Sequence, residues 1–384
     1  MKVFVAASDP GSANALMPII AACSRKGYET YGVVSGSASI MLGKQWHNIV
    51  EINDAVSIDI ILHILNDNRP HIVLTGAGAY NLLEHTVRCA SAKAGIPCIA
   101  ILDYWTNYLE RFRRLENKQW NYSFPDRICV LDEIVRNEML AEGFAREQIV
   151  VTGQPYFEYI SNWKKTLSIE DVKHFRSRFV NDEGRILIGF FSEPIAEDKN
   201  VMHSNDIGYT QYDTITEVVR ILGKSVKSDR SIHLVVRPHP REDEEKLKEI
   251  LFHEQISPLF TREVSKIGSS LEFVVSCDLI IGMTSMALIE ACIMAQPVLS
   301  IQLNLKKPDK FFGTTRGYCT SIYNDKELSN RLEQWFMNCK PRSGDAMQNT
   351  CNATPYMCGA SEHIIAVMKE LVETRRVNES IMKS

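Results

Sequence analysis

Between Asp278 and Ile301 the chain reads DLIIGMTSMALIEACIMAQPVLSI. An apolar run at 279–281 ends in Gly282-Met283-Thr284-Ser285, a helical run carrying Glu290 follows, Pro297 breaks it, and a second apolar run begins at Val298. The pattern predicts strand, small-residue turn, helix, strand, which is a βαβ crossover. Its turn places free backbone N–H groups and the positive end of a helix dipole at a strand's C-terminal edge. In an open parallel sheet that edge is where ligands bind. Taken alone, the stretch also fits a plain crossover in which Thr284 or Ser285 caps the helix.

The same alternation runs through most of the 384 residues. Short apolar runs at 2–7, 30–34, 49–52, 72–75, 98–102, 127–131 and 149–152 are separated by helical segments, which predicts one α/β layer over 1–160. Residues 161–184 are polar and predict a linker with a helix. A second alternating series fills 185–340, with strands at ILIGFF and IHLVVR, a charged helix from Glu242 to about Phe252, and apolar runs at 273–276 and 279–281. Residues 340–360 predict a loop, and an amphipathic helix at 361–376 is expected to pack back across the domain junction. Two such domains in series imply a cleft between them, a common ligand site.

Composition narrows the class. Hydrophobic residues make up 45% and charged residues 23%, as in ordinary globular chains. A net charge of −4 gives no reason to expect duplex nucleic acid as a partner. Six of the ten cysteines (Cys23, Cys89, Cys98, Cys129, Cys277, Cys292) sit in apolar runs without a CxxC pair, which suits free thiols. Cys339, Cys351 and Cys358 fall in the loop-like region. With no leader-like start and no long apolar run, the protein is expected to be cytoplasmic.

Four constellations carry chemistry. In Val235-Val236-Arg237-Pro238-His239-Pro240-Arg241, two prolines fix the backbone around an imidazole flanked by arginines, an arrangement suited to a phosphate. A rigid turn with a half-exposed histidine is the alternative. Thr284 and Ser285 offer hydroxyls and N–H groups to the same phosphate. Glu290, on an apolar helix, needs a partner, either a ribose or a buried arginine. In the first domain, Asp9 and Asp103 each follow a strand and are candidate general bases. Asp9, in Ser-Asp-Pro-Gly, equally suits a turn or helix cap. Gly11, Gly76 and Gly153 mark loops where a ligand can approach the backbone. Finally, the aromatic and arginine-rich run 103–114, with Arg111, Arg113 and Arg114, suits an acceptor glycan or a membrane surface, or else a solvated loop. No HExxH, EF-hand, GxSxG or GxxxxGK[ST] motif occurs, so no metal site is expected and P-loop chemistry is excluded.

Together these features resemble the GT-B nucleotide-sugar glycosyltransferases and their hydrolase and epimerase relatives. Three pieces carry the resemblance. Ile128-Cys-Val-Leu-Asp-Glu133 leading to Ile149-Val-Val-Thr-Gly-Gln-Pro155 is similar to the end of a GT-B first domain, with Gln154 in place of the usual Asn. Arg237-Pro-His-Pro240 is similar to the His-Pro motif of bacterial sialyl-, polysialyl- and Kdo-transferase-like enzymes and of CDP-glycerol glycerophosphotransferases. Gly282-Met-Thr-Ser285 through Glu290 is similar to a donor-phosphate motif with its ribose-binding Glu.

The resemblance implies two Rossmann-like doubly wound α/β domains facing across a cleft, an acceptor domain at 1–160 and a donor domain at 185–340, with 341–384 returning to the junction. It implies that His239, oriented by Pro240, contacts the donor phosphate with Arg237, Thr284 and Ser285, and that Glu290 holds the ribose. Asp103 is the closest match to the family's base, although the acidic-acidic-Gly pair of the sialyltransferase-like branch is absent, since Tyr104 and Trp105 follow. The expected function is inverting, metal-independent sugar transfer in surface polysaccharide or glycoconjugate synthesis. The donor would be a CMP-, CDP- or UDP-linked sugar, with no bound cofactor, and the acceptor a glycan or lipid-linked glycan, with peripheral inner-membrane association. Rivals are a nucleotide-sugar 2-epimerase or hydrolase, whose Ser-Gly-Gly turn is replaced here by Met283-Thr-Ser-Met286, a CDP-glycerol glycerophosphotransferase, and a non-catalytic nucleotide-sugar-binding protein.

Overall fold

Fifteen strands carry the described part of the chain. The structure is a computed structural model and describes residues 1–43, 46, 48–79, 82–116, 118–182, 184–197, 207–225, 231–253, 257–339 and 359–383. It divides into two units, Met1–Tyr159 with Ala353–Ser384, and Ile160–Asn352.

The first unit contains β1 (Lys2–Ala7), β2 (Glu29–Val34), β3 (Ile49–Glu51), β4 (Ile72–Thr75), β5 (Cys98–Ile101), β6 (Arg113–Glu116), β7 (Gln119–Tyr122), β8 (Arg127–Val130) and β9 (Ile149–Val151). Seven of these form a parallel sheet in the order β3-β2-β1-β4-β5-β8-β9. β6 and β7 form a separate antiparallel hairpin. The strand order reverses between β1 and β4, which opens a crevice at their C-terminal ends. Helix α1 (Pro10–Arg25) starts in that crevice, with Asp9 as its N-cap and proline at its first position. Helix α2 (Leu82–Ala94) follows β4. The C-terminal helix Ala360–Lys383 lays Ile364, Ile365 and Met368 into the core that holds Val3, Val5, Leu16 and Ile19. Each such fully buried aliphatic side chain contributes about 1.5–3 kcal/mol of transfer free energy.

The second unit contains β10 (Ile186–Phe191), β11 (Ile232–Arg237), β12 (Phe260–Val264), β13 (Leu279–Gly282), β14 (Val298–Ile301) and β15 (Thr320–Ile322). They form one parallel sheet in the order β12-β11-β10-β13-β14-β15. This is the same winding as in the first unit, and its reversal lies between β10 and β13. Helices α3 (Ile169–Arg176), α4 (Glu244–Phe252), α5 (Ser270–Ser276) and α6 (Met286–Ile293) pack around it.

The stretch expected as a linker with a helix at 161–184 carries the end of helix Pro155–Thr166 and α3, and Arg176 of α3 is tied to residues just before β13. Its guanidinium donates to Asp278 Oδ2 at 2.9 Å and to Ser276 O at 2.7 Å, so this polar segment is part of the fold. The apolar run 273–276 is the end of α5, since Ser269 and Glu272 form a capping box that nucleates a helix there. The strand FTREV (β12), whose charges mask its alternation, was not expected. The expected loop at 340–360, with Cys351 and Cys358, lies outside the described residues apart from its last two. No disulfide joins any of the eight described cysteines, and no described helix is long and apolar enough to cross a membrane.

Candidate active site

At the first unit's strand reversal the polar groups converge. Asp103, just beyond β5, pairs with Arg111 Nη1 at 2.6 Å, and the two side chains are only 14% and 6% exposed. Arg111 also donates to Thr106 O at 2.9 Å and to Ala77 O at 2.5 Å, which fixes its fork. Burial raises the Asp103 carboxyl above its ordinary value, Asp9 reinforces the shift, and Arg111 opposes it. A β-carbon at Gly11 would stand 2.0 Å from Asp103 Oδ2, so glycine there leaves room for the carboxylate. Gln154, after β9, donates to Leu102 O at 3.0 Å and ties the Thr-Gly-Gln-Pro turn to the Asp103 loop.

Near this pair lies Glu84 on α2, which is 0% exposed. Its oxygens accept from Ser8 N at 3.2 Å and Gly78 N at 2.7 Å, bridging the ends of β1 and β4. Burial, then Asp9, pushes its carboxyl up to about 7, against the pull of Arg88. Arg88, one helical turn on, is buried and satisfied: it donates to Ser123 O at 2.9 Å, Gly76 O at 3.2 Å and Arg111 O at 2.8 Å. Glu84 is thus an ionisable, fully hydrogen-bonded carboxyl in the same strand-end cluster as the Asp103–Arg111 pair.

At the second unit's reversal the groups are of another kind. His239, partly buried between Pro238 and Pro240, accepts from Arg241 N at Nδ1 (3.1 Å), which places its proton on Nε2. Burial and then Arg241 lower its pKa, so it is a neutral donor near pH 7. The His239 backbone N–H donates to Glu242 Oε2 at 2.6 Å, while Glu242 Oε1 accepts from Ser192 Oγ at 2.6 Å. Glu242 is therefore a buried strut before α4, whose N-cap is Asp243, and not a residue of the helix's first turn. Thr284 donates its N–H at 2.6 Å and its hydroxyl at 2.8 Å to the Glu193 carboxylate, which follows β10. Burial raises the Glu193 pKa, against hydrogen bonds from Thr284 and Ser285. The N–H turn expected to face a phosphate thus holds the chain's own carboxylate.

The sequence-derived residues fall into two groups. Asp9, Gly11, Gly76 and Asp103 meet in the first unit, where Asp9 caps α1 by accepting from Ser12 N at 2.8 Å. A β-carbon at Gly76 would lie 2.2 Å from the Ser12 side chain, so Gly11 and Gly76 make room for the chain itself. Gly153 adopts φ 83°, a left-handed turn suited to glycine. Arg237, Pro238, His239, Pro240, Thr284, Ser285 and Glu290 lie at or near the second unit's strand ends. There Arg237 donates to Ile267 O at 2.9 Å and Gly268 O at 2.7 Å, so it clamps the loop after β12. Ser285 caps α6 by accepting from Ala287 N at 3.2 Å. Buried Glu290 accepts from Ser270 Oγ at 3.0 Å. Glu84, Arg88, Glu193 and the strut role of Glu242 were missed. An acid on an apolar stretch, as at Glu290, was the one signal that pointed to any of them. Among the described residues no group of three or more His, Cys, Asp or Glu is placed to hold a metal ion.

No protein-family model matches the chain, and no curated protein matches its sequence. Solved structures do match its shape. The UDP-GlcNAc 2-epimerase from Methanocaldococcus jannaschii aligns with TM-score 0.68 and 16% identity, over 96% of this chain and 100% of that one. The UDP-GlcNAc 2-epimerase from Neisseria meningitidis, bound to UDP-GlcNAc, aligns with TM-score 0.66 and 15% identity, over 96% and 100%. A glycosyltransferase from Rickettsia africae aligns with TM-score 0.62 and 12% identity, over 97% and 98%. At these identities the likeness establishes the fold: two Rossmann-like α/β units of the GT-B-like type.

Proposed function

We propose that the protein is an enzyme acting on a nucleotide-activated sugar, and that it transfers the sugar to an acceptor hydroxyl. The observation that carries the reading is Asp103, a buried carboxylate aligned by Arg111 beside an open pocket of about 280 Å³ in the same unit. A base with a raised pKa next to room for a second substrate suits deprotonation of an acceptor, a role that typically contributes about 10² to 10⁴-fold in rate. In the proposed step the acceptor oxygen bonds to the donor's anomeric carbon as the bond from that carbon to the nucleotide phosphate breaks. The hydroxyl proton goes to Asp103 and the electron pair leaves with the phosphate. His239 Nε2–H and the N–H groups of the Thr284–Ser285 turn are assigned to that developing charge, with Glu290 on the ribose. The donor's phosphate would displace Glu193 from the turn. Charge stabilisation in this scheme comes from the chain's own donors.

Epimerisation or hydrolysis of the nucleotide sugar is the second reading. It is favoured by the structural neighbours, several of which are UDP-GlcNAc 2-epimerases. Proton NMR of the protein with UDP-, CDP- and CMP-linked sugars separates the two. Slow release of free nucleotide, accelerated by a glycoside acceptor and yielding a new glycosidic signal, supports transfer. A C2-epimerised product, or free sugar unaffected by every acceptor, supports the second reading.

A further inference from the structure

The second unit holds a pair of thiols that no step described so far uses. Cys292 lies near the end of α6, two residues beyond Glu290, and Cys319 lies immediately before β15. The whole of β14 separates them in sequence. The fold nevertheless brings the two sulfurs into hydrogen-bonding contact, with the Cys292 S–H donating to Cys319. Both residues are only partly buried, which leaves a path for a small oxidant. Each sulfur also sits on a fixed support. Cys292 is carried by the helix. Cys319 is carried by a turn in which the N–H groups of Tyr318 and Cys319 both donate to Gly313 O, at 2.7 and 3.0 Å. A β-carbon at Gly313 would stand 2.8 Å from Cys319 Sγ, so glycine there leaves room for the thiol. Thr314 adds a hydrogen bond to the same sulfur and is itself bonded to Ser321 Oγ.

The two thiols differ in character. The hydrogen bond from Cys292 lowers the Cys319 pKa below its ordinary value, with Thr314 in support and with burial and Asp309 opposing. The same bond, and then burial, raises the pKa of Cys292. In the first unit, burial pushes the thiol of Cys23 up to about 11 and those of Cys98 and Cys129 up to about 12. A thiolate is the nucleophile in sulfur oxidation, and a second thiol in contact turns the resulting sulfenic acid into a disulfide. Cys319 has the character of the attacking sulfur and Cys292 that of the resolving one, whereas Cys23, Cys98 and Cys129 have that of inert core thiols.

We propose that Cys292 and Cys319 form an oxidation site, a dithiol that hydrogen peroxide converts reversibly to a disulfide. The Cys319 thiolate attacks one peroxide oxygen. The O–O bond breaks, a sulfenic acid forms, and the departing hydroxide takes up the proton that Cys319 released. The Cys292 sulfur then attacks the Cys319 sulfur. The S–O bond breaks, the S–S bond forms, and the hydroxyl leaves as water with the Cys292 proton. The dithiol has lost two electrons and the peroxide has become two molecules of water. The cross-link fastens the end of α6 to the entry of β15, and so ties down the helix that Ser285 caps and that carries Glu290. The site goes beyond both the transfer and the epimerase readings and depends on neither.

To test it, the native chain is exposed to hydrogen peroxide, alkylated with iodoacetamide and mapped by mass spectrometry without reduction. A cross-linked pair of peptides containing Cys292 and Cys319 should appear, and dithiothreitol should return both cysteines to alkylation. The cross-link should raise the melting temperature by about 5 °C. With dimedone present, Cys292→Ser should trap a sulfenic acid at Cys319, whereas Cys319→Ser should leave Cys292 unlabelled. Both reduced variants should melt within about 3 °C of the native chain. The mapping needs no variant, so it decides the matter even where a substitution costs the fold. Alkylation of both cysteines after an exposure that oxidises free cysteine in the same buffer overturns the proposal. So does a disulfide that joins either of them to another cysteine in place of its partner. Dimedone labelling of Cys292 rather than Cys319 overturns the assignment of the attacking sulfur. A cross-linked chain that melts no higher than the reduced one overturns the fastening of α6.

Discussion

At the first unit's strand reversal, the N–H groups of Ser8 and Gly78 close on the carboxylate of Glu84; at the second unit's, the N–H of Thr284 closes on Glu193. The two sheets have the same order, and in each an internal carboxylate fills the place where a βαβ winding concentrates N–H groups. The difference lies in depth. Glu84 is 0% exposed and shares its surroundings with Arg88 and Asp9. Glu193 is only partly buried, on the loop that leaves β10. On the proposed reading the first reversal stays closed and aligns the base, while at the second an incoming phosphate oxygen displaces Glu193.

The sharpest way to break this contrast is Asp103→Asn. It keeps the side chain's shape and removes the proton acceptor, so turnover should fall about 10² to 10⁴-fold. Nucleotide binding, assigned to the other unit, should stay within about twofold by calorimetry. Loss of nucleotide affinity together with turnover would erase the division of labour.

A second test concerns the depth of Glu84. A carboxyl whose folded pKa is raised holds its proton more tightly in the folded chain than in the unfolded one. Its contribution is therefore fully present below the unfolded value of about 4.3 and is lost as the pH climbs towards about 7. The loss is on the order of 3 kcal/mol from this group. Urea unfolding of the native chain from pH 4.5 to 7.5 should show that decline, and Glu84→Gln should flatten it. Parallel profiles for the two proteins would mean that Glu84 titrates normally.

A smaller effect is expected at the removable group. Glu193→Gln keeps an acceptor for Thr284 but removes the charge that opposes a phosphate. Affinity for the nucleotide that binds should rise about tenfold, equivalent to about 1.4 kcal/mol. Because the Glu193 pKa is raised by burial, affinity in the native chain should also increase as the pH falls, and this trend should be weaker in the glutamine variant. Equal Kd values for the two proteins at pH 5.5 and pH 8 would show that Glu193 stays in place when ligand binds.

The sequence made the layers legible because buried parallel strands are short, nearly continuous apolar runs, as in β4, β5, β10 and β13 and in the Val3–Ala7 part of β1. It also brought out the strand-end residues Asp9, Asp103, His239 and Thr284, since parallel winding puts whatever follows a strand at the same edge. What a side chain does there depended on partners far along the chain. Arg237 was expected at a phosphate, yet its donors are taken by carbonyls 30 and 31 residues away. Glu193 and Thr284 are 91 residues apart, and Ser8 and Glu84 are 76 apart. No local pattern encodes such pairings. The largely exposed, polar segment 161–184 likewise gives no local sign that Arg176 pairs with Asp278, 102 residues away.

The central claim, that the second unit holds a sugar nucleotide through its N–H turn and His239, is tested most directly by a thermal-shift screen of the native chain and His239→Ala against CMP, CDP, UDP, GDP and dTDP. A nucleotide at about 100 times its Kd stabilises the folded state by about 2.7 kcal/mol. The account predicts that at least one of the five raises the melting temperature of the native chain and that His239→Ala abolishes the rise. No shift with any nucleotide, or an unchanged shift in His239→Ala, would contradict it.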